Sequence, residues 1–137
     1  MASRIEMWAL SRLVPYADNS RVHSDEQVAL IAASITQFGF TQPILVNEAD
    51  GGILAGEARL RAARKLGLEA VPVIPLSHLS ESQRRAYIIA DNTLADHAGW
   101  DDTALALELS LLEAEAFDLD VLGFSDQELA DLLGSTV

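Results

Sequence analysis

The chain has 137 residues, half of them apolar, no cysteine and a formal net charge of −12. This length suits one compact domain with a buried core, and the missing cysteine excludes a disulfide scaffold, a Cys-based zinc site and a thiol nucleophile. No apolar run approaches the ~20 residues of a membrane helix and no apolar segment follows a basic N-terminus, so the expectation is a soluble cytoplasmic protein with no membrane partner.

Residues 5–13, IEMWALSRL, are β-prone and stop at Val14-Pro15, where the proline holds its predecessor extended. Asp18-Asn19-Ser20-Arg21 is a turn cluster. Ser24 opens a capping box with Gln27, and Val28, Ile31, Ala32, Ile35 and Phe38 follow at helical spacing as a core stripe. Gly39 is expected to end that helix in the left-handed αL conformation. Ile44-Leu45-Val46 is a short apolar strand, Asp50-Gly51-Gly52 a hairpin turn and Ile53-Leu54-Ala55 the returning strand. Gly56 breaks that strand, and residues 57–66 read as a helix ended by Gly67. A further β run covers 70–74, where Pro72 predicts an edge or irregular strand. Ser80 and Gln83 box a helix reaching about Leu94. Asp101 or Asp102 caps another through about Glu113, with Leu105, Leu109 and Leu112 on one stripe. Residues 117–122 read as a linker with weak strand character, and Ser125 with Glu128 boxes a terminal helix over 126–133.

The order βαββαβααα predicts an α+β (mixed α/β) fold: a small mixed sheet flanked by helices. The expected organisation is a core domain over 1–98 and an acidic helical extension over 99–137 packed on it, one compact domain overall.

Charge is segregated along the chain. All nine Lys and Arg lie between Arg4 and Arg85, matched there by nine acids, while residues 86–137 carry twelve acids and no Lys or Arg. Duplex binding is driven by cations that neutralise phosphates, so direct duplex binding by this chain should be weak or absent. A small cationic pocket in the first part could still hold one polyphosphate, and the acidic tail could equally serve solubility alone.

Such a pocket has one candidate. Gly56-Glu57-Ala58-Arg59-Leu60-Arg61 sits where an apolar strand becomes a helix. A helix N-terminus offers free amides and the positive end of a dipole, Gly56 admits close approach to the backbone, and Arg59 and Arg61 carry forked cations that match phosphate oxygens. Arg64 and Lys65 extend the cationic surface. The other reading stays open at this point: Glu57 and Arg61 have the acid-first i,i+4 spacing of a helix-surface ion pair. Arg59 and Arg61 are also about 200° apart on the helical wheel, so they converge only on a ligand lying over the helix end.

Three boxes carry a family resemblance. Gly39-Phe40-Thr41-Gln42-Pro43-Ile44-Leu45-Val46, Gly56-Glu57-Ala58-Arg59-Leu60-Arg61-Ala62 and Ala90-Asp91-Asn92, preceded by Asn19-Ser20-Arg21, occur in the order found in the N-terminal domain of the ParB family, the ParB/sulfiredoxin fold. The match covers roughly residues 5–95. The stretch 89–101 with Gly123-Phe124-Ser125 most resembles ParB-like domains of phages and of loci beside adenine-specific DNA methyltransferases. The resemblance implies a nucleoside triphosphate ligand, CTP or ATP, with Mg²⁺. Gly56 and the amides after it would hold phosphates with Arg59 and Arg61, and Gln42 would lie over the nucleotide. Glu57 would position metal or water as the candidate catalytic group of an at most slow NTPase, and Asn92 would coordinate Mg²⁺ through its amide oxygen.

This chain departs from the family pattern. Ala58 replaces the first arginine of the second box, and Leu94 and Ala95 stand where the third box carries Gln and Arg. No helix-turn-helix is expected after the third box, the acidic tail standing in its place, so centromere binding and clamp closure are not expected. Sulfiredoxin activity is excluded, because its cysteine would align with Glu57. A two-metal nuclease would need clustered carboxylates, and only Glu57 and Asp91 fall near the pocket. The alternative function is a non-catalytic accessory module of a DNA methyltransferase or phage protein that keeps the fold without the ligand. The leucine stripe of the tail, continued by Leu129, Leu132 and Leu133, would then be a partner or homodimer surface rather than core. His23, His78 and His97 are too far apart for a sequence-local metal site, and Trp100 and Phe124 read as packing anchors.

Overall fold

The buried Trp8 anchors the first strand, β1, at Glu6–Ala9, and the strand runs into a 3-10 helix at Leu10–Arg12. The computed structural model describes residues 2–15, 24–96 and 99–134; Asn19-Ser20-Arg21, His23 and His97 lie outside them. Helix α1 spans Asp25–Phe38, and the Ser24 hydroxyl accepts from the Gln27 amide at 3.1 Å as its cap. Gly39 does have a positive φ, +84°, but its ψ of 174° is extended rather than αL. The chain therefore leaves α1 straight toward β2 instead of curling back.

Strands β2 (Ile44–Asn47) and β3 (Ile53–Ala55) form the expected hairpin. Its turn is fixed by Asp50, whose Oδ1 accepts from Asn47 Nδ2 at 2.9 Å and from the Gly52 amide at 2.8 Å. Helix α2 (Glu57–Lys65) follows, then β4 (Ala70–Leu76) and α3 (Glu81–Asp96). A complete capping box starts α3: Ser80 Oγ accepts from the Gln83 amide at 3.2 Å, and Gln83 Oε1 accepts from the Ser80 amide at 2.8 Å.

The sheet is mixed, in the order β1-β4-β2-β3, with β4 antiparallel to β1 and parallel to β2. Pro72 therefore marks an interior strand, not an edge. The pairing is staggered: β1 covers Ala70–Val73, while β2 covers Val73–Leu76. Pro72 and Pro75 each lie in a stretch paired on one side only, where the missing amide hydrogen can fall on the unpaired flank.

Two layers of helix cover one sheet face. Leu60 and Ala63 of α2 meet Trp8, Leu13, Ile44, Val46, Val71 and Val73 in the main core. The outer side of α2 offers Ala62, which packs against Val28 and Ala32 of α1. On the opposite sheet face, Ile88 of α3 packs with Leu54 and Leu76. Most of the α1 stripe is thus core, but Phe38 at its end is 49% exposed.

The chain divides into two compact units, Met1–Asp96 and His97–Val137. The second is helical: α4 (Asp102–Ala114), a 3-10 helix (Leu119–Leu122) in place of the weak strand, and α5 (Asp126–Gly134). Asp101 caps α4 by accepting from the Ala104 amide at 3.1 Å. Ser125 and Glu128 exchange hydrogen bonds of 3.1 and 2.9 Å at the start of α5. Ala106, Leu109 and Leu129 are buried within this unit. Trp100 and Phe124 do meet, at 6.4 Å between ring centroids, yet Trp100 is 70% exposed.

Candidate functional site

The turn from β3 into α2 is built on a glycine that no other residue replaces cheaply. Gly56 caps α2 with φ +104° and ψ 23°, and no capping side chain closes the helix end. The first-turn amides thus stand at the positive end of the helix dipole with no side-chain cap. Across this turn lies the Arg59 guanidinium. A Cβ at position 56 would stand 2.7 Å from its Nη2 and 3.0 Å from its Nε.

Arg59 is held there by the first box. Its Nη1 donates to Gln42 Oε1 at 2.9 Å and its Nη2 to the Pro43 carbonyl at 3.3 Å. Its Nε is buried and has no acceptor. Among the described residues no carboxylate forms an ion pair with this cation. Burial pulls its pKa below the usual arginine value, and the charge of Asp91 on α3 acts in the opposite direction. Burying an unpaired charge costs free energy that an anionic ligand would return.

Beside Arg59 opens a cavity of about 260 Å³, walled by Gly39–Gln42 and by Ile31, Ser34 and Ile35 of α1. Ile31 and Ile35 serve both the core and this cavity, a distinction that helical spacing alone cannot make. Gln42, Gly56 and Arg59 thus come together. Arg61 does not join them: it is exposed, and its Nη2 lies 3.8 Å from Glu57 Oε1, the helix-surface pair that the spacing also allowed. Arg64 and Lys65 are exposed on the same helix.

On α3, the charge of Asp91 acts on Arg59 of α2 and on Tyr87 one turn earlier in its own helix. Asn92 is half-buried and its Nδ2 donates to the Ile88 carbonyl at 2.9 Å. That bond fixes the amide and leaves Oδ1 as the oxygen that could meet a cation. Among the described residues no group of three His, Asp or Glu could hold a metal. Mg²⁺ bound to a nucleotide needs only one or two protein oxygens beside phosphate and water, so the donor set fits an ion carried in by a polyphosphate and does not form a cage of its own. His78 is exposed in the turn before α3, away from these groups in sequence.

A larger hollow of about 430 Å³ adjoins the hairpin, between Asp50 and Arg84, which are bridged at 3.1 Å. Asp50 is legible in the sequence as a turn residue, but its pairing with Arg84 is not, because the two lie 34 positions apart.

Comparison with known proteins gives the family and the fold. Residues 2–93 match the ParB N-terminal domain, and residues 103–137 match the ParB-methyltransferase HTH domain. The second match overturns the expectation that no helix-turn-helix follows the third box. Helices α4 and α5 fall within it, hidden in the sequence by their lack of the basic residues that usually mark such a module. The ParB-like nuclease domain-containing protein YnaK of Escherichia coli is 50% identical over 76 residues, covering 56% of this chain and 86% of YnaK. Longer curated relatives are matched over only 33–45% of their length. The C-terminally truncated chromosome-partitioning protein ParB of Caulobacter crescentus, complexed with CTP-gamma-S, superposes with a TM-score of 0.77 at 25% identity, over 96% of this chain and 77% of that one. Sulfiredoxin of Arabidopsis thaliana superposes with a TM-score of 0.53 at 25% identity, over 63% of this chain and 98% of its own. No described helix is long and apolar enough to cross a membrane.

Proposed function

Because this chain belongs to the ParB family through its N-terminal domain, we propose that it binds a nucleoside triphosphate with Mg²⁺ at the Gly56 turn, as a ligand-dependent switch in a DNA-related system. The observation that carries the reading is the Arg59 guanidinium, drawn from solvent across a left-handed helix cap and, among the described residues, in no ion pair with a carboxylate. A phosphate oxygen there would gain a charge-assisted bond and sit at the positive end of the α2 dipole. The solved Caulobacter relative in complex with CTP-gamma-S supports the ligand class.

The roles divide by position. Arg59 and the amides after Gly56 take phosphate oxygens. Gln42 gives up its bond to Arg59 and turns to the nucleotide from the wall of the 260 Å³ cavity. Glu57 holds Arg61 at the helix surface and stands at the position from which it would orient metal or water. Asn92 Oδ1 is the protein oxygen for Mg²⁺, which when bound would neutralise charge on the triphosphate. Ala58, lacking the family's arginine, leaves Arg59 to do work that two side chains would share.

Calorimetric titration with CTP and with ATP, each with Mg²⁺, tests the proposal. The unaltered chain should bind one of them, and Arg59→Ala should weaken binding roughly tenfold or more, since a charge-assisted contact is worth about 1.5–3 kcal/mol. Arg61→Ala should matter much less. Absence of binding by the unaltered chain, or equal binding by Arg59→Ala, would overturn it.

A further inference from the structure

The second unit matches a helix-turn-helix domain yet carries the wrong charge for a phosphate backbone. From His97 onward there are ten acids and no Lys or Arg. A duplex-binding module gains its affinity by replacing condensed counterions with its own cations, and this unit has none to offer. It would instead pay repulsion along its whole length.

Helix α4 also presents an apolar face that its own unit leaves uncovered. The stripe Leu105, Leu109 and Leu112 turns inward, with Leu109 only 2% exposed. A second pair one turn apart, Leu107 and Leu111, is 58% and 59% exposed. At i,i+4 spacing the two side chains lie on one face; Glu108 borders them on one side, and Glu115 stands beyond them at the helix C-cap. An apolar spot bordered by charge is a pattern found at protein interfaces.

Charge decides among the occupants of this face. Nucleic acid and anionic lipid are repelled, and so is the same face of a second copy. We propose that the outer face of α4, centred on Leu107 and Leu111, docks a protein surface that presents Lys and Arg around an apolar spot. That is the surface a DNA-binding protein offers to phosphate, so this unit would occupy it in place of DNA. The proposal stands apart from nucleotide binding at Gly56.

The test uses the full chain and an amphipathic helical peptide of Leu and Lys, with a scrambled peptide of equal composition as reference and Kd read by calorimetry. The unaltered chain should bind the amphipathic peptide at least about fivefold more tightly than the scrambled one. The double variant Leu107→Glu, Leu111→Glu should lose that preference although it is more acidic, and Leu107→Ser, Leu111→Ser should lose it at unchanged net charge. Circular dichroism melts should match the unaltered chain, because both leucines are exposed. Equal or tighter binding by the Glu variant would reduce the effect to net charge and overturn the proposal, as would no binding by the unaltered chain. Binding of random-sequence duplex DNA that the Glu variant loses would make nucleic acid the occupant. Concentration-dependent dimers that the Glu variant abolishes would make it a second copy. Either result also overturns it.

Discussion

One methyl group at position 56 probes the turn on which the nucleotide reading rests. Alanine there must adopt φ +104°, which costs an L-residue about 1–2 kcal/mol. Its Cβ would also stand 2.7 Å from Arg59 Nη2. A guanidinium is the far end of a flexible side chain, so it would swing out and release Gln42 Oε1 and the Pro43 carbonyl. Those bonds are worth about 0.5–1.5 kcal/mol each, and rehydration of the cation returns part of that, leaving a net loss of about 1 kcal/mol. Gly56→Ala should therefore cost about 2–3 kcal/mol in urea unfolding, a melting shift on the order of 10–20 °C for a unit of this size. The informative measurement is the double-mutant cycle. In an Arg59→Ala background the clash is gone, and Gly56→Ala should cost only the backbone strain, about 1–2 kcal/mol. Equal costs in both backgrounds would refute the packing of the guanidinium on the glycine, and no cost in either would refute the left-handed turn.

Two further perturbations address the scaffold. Asp50 accepts hydrogen bonds from Asn47 and the Gly52 amide and pairs with Arg84, which hold its pKa below the usual carboxylate value. Its contribution is therefore complete above about pH 4 and disappears as pH falls through the depressed folded-state pKa. Because Asp50 is largely exposed, Asp50→Ala should cost at most about 1 kcal/mol at pH 7, and the difference from the unaltered chain should vanish toward pH 2 in urea titrations; a pH-independent difference would contradict the linkage. Ser80→Ala removes one half of the α3 capping box and should cost about 1 kcal/mol, read as a lower urea midpoint at unchanged m-value.

Local chemistry made the element order legible. Three Ser-led capping boxes and the Asp50-Gly51-Gly52 turn mark their elements within one or two residues, because each is a hydrogen-bond pattern closed within three or four positions. Strand neighbours are not local. Pro72 read as an edge signal because the residues alone do not reveal that β4 is paired on one flank at a time. At the site, Gly56, Gln42 and Arg59 were legible as motif members. The Glu57–Arg61 pair was one of two readings the spacing allowed; what stayed hidden was that Arg59 reaches back to Gln42 and Pro43 of the first box, a contact 16–17 positions away. The helix-turn-helix match is obscured by composition: acidity in residues 97–137 suggests that the module is absent, when it is the module's charge that differs.

The sheet order has a consequence for synthesis. Glu6 of β1 is opposite Val73 of β4, and β2 finds its parallel neighbour in the same strand. Until β4 leaves the ribosome, β2 has no parallel strand beside it and β1 has no strand partner, although Val14 can already bridge Gly52 of the hairpin. Contacts of such sequence separation form late and slowly, so a nascent chain halted before Ala70 would expose Trp8, Ile44 and Val46 together. Co-translational closure of the first unit thus hangs on one strand, and a pause site just upstream of its codons would be the point at which the chain most needs a chaperone.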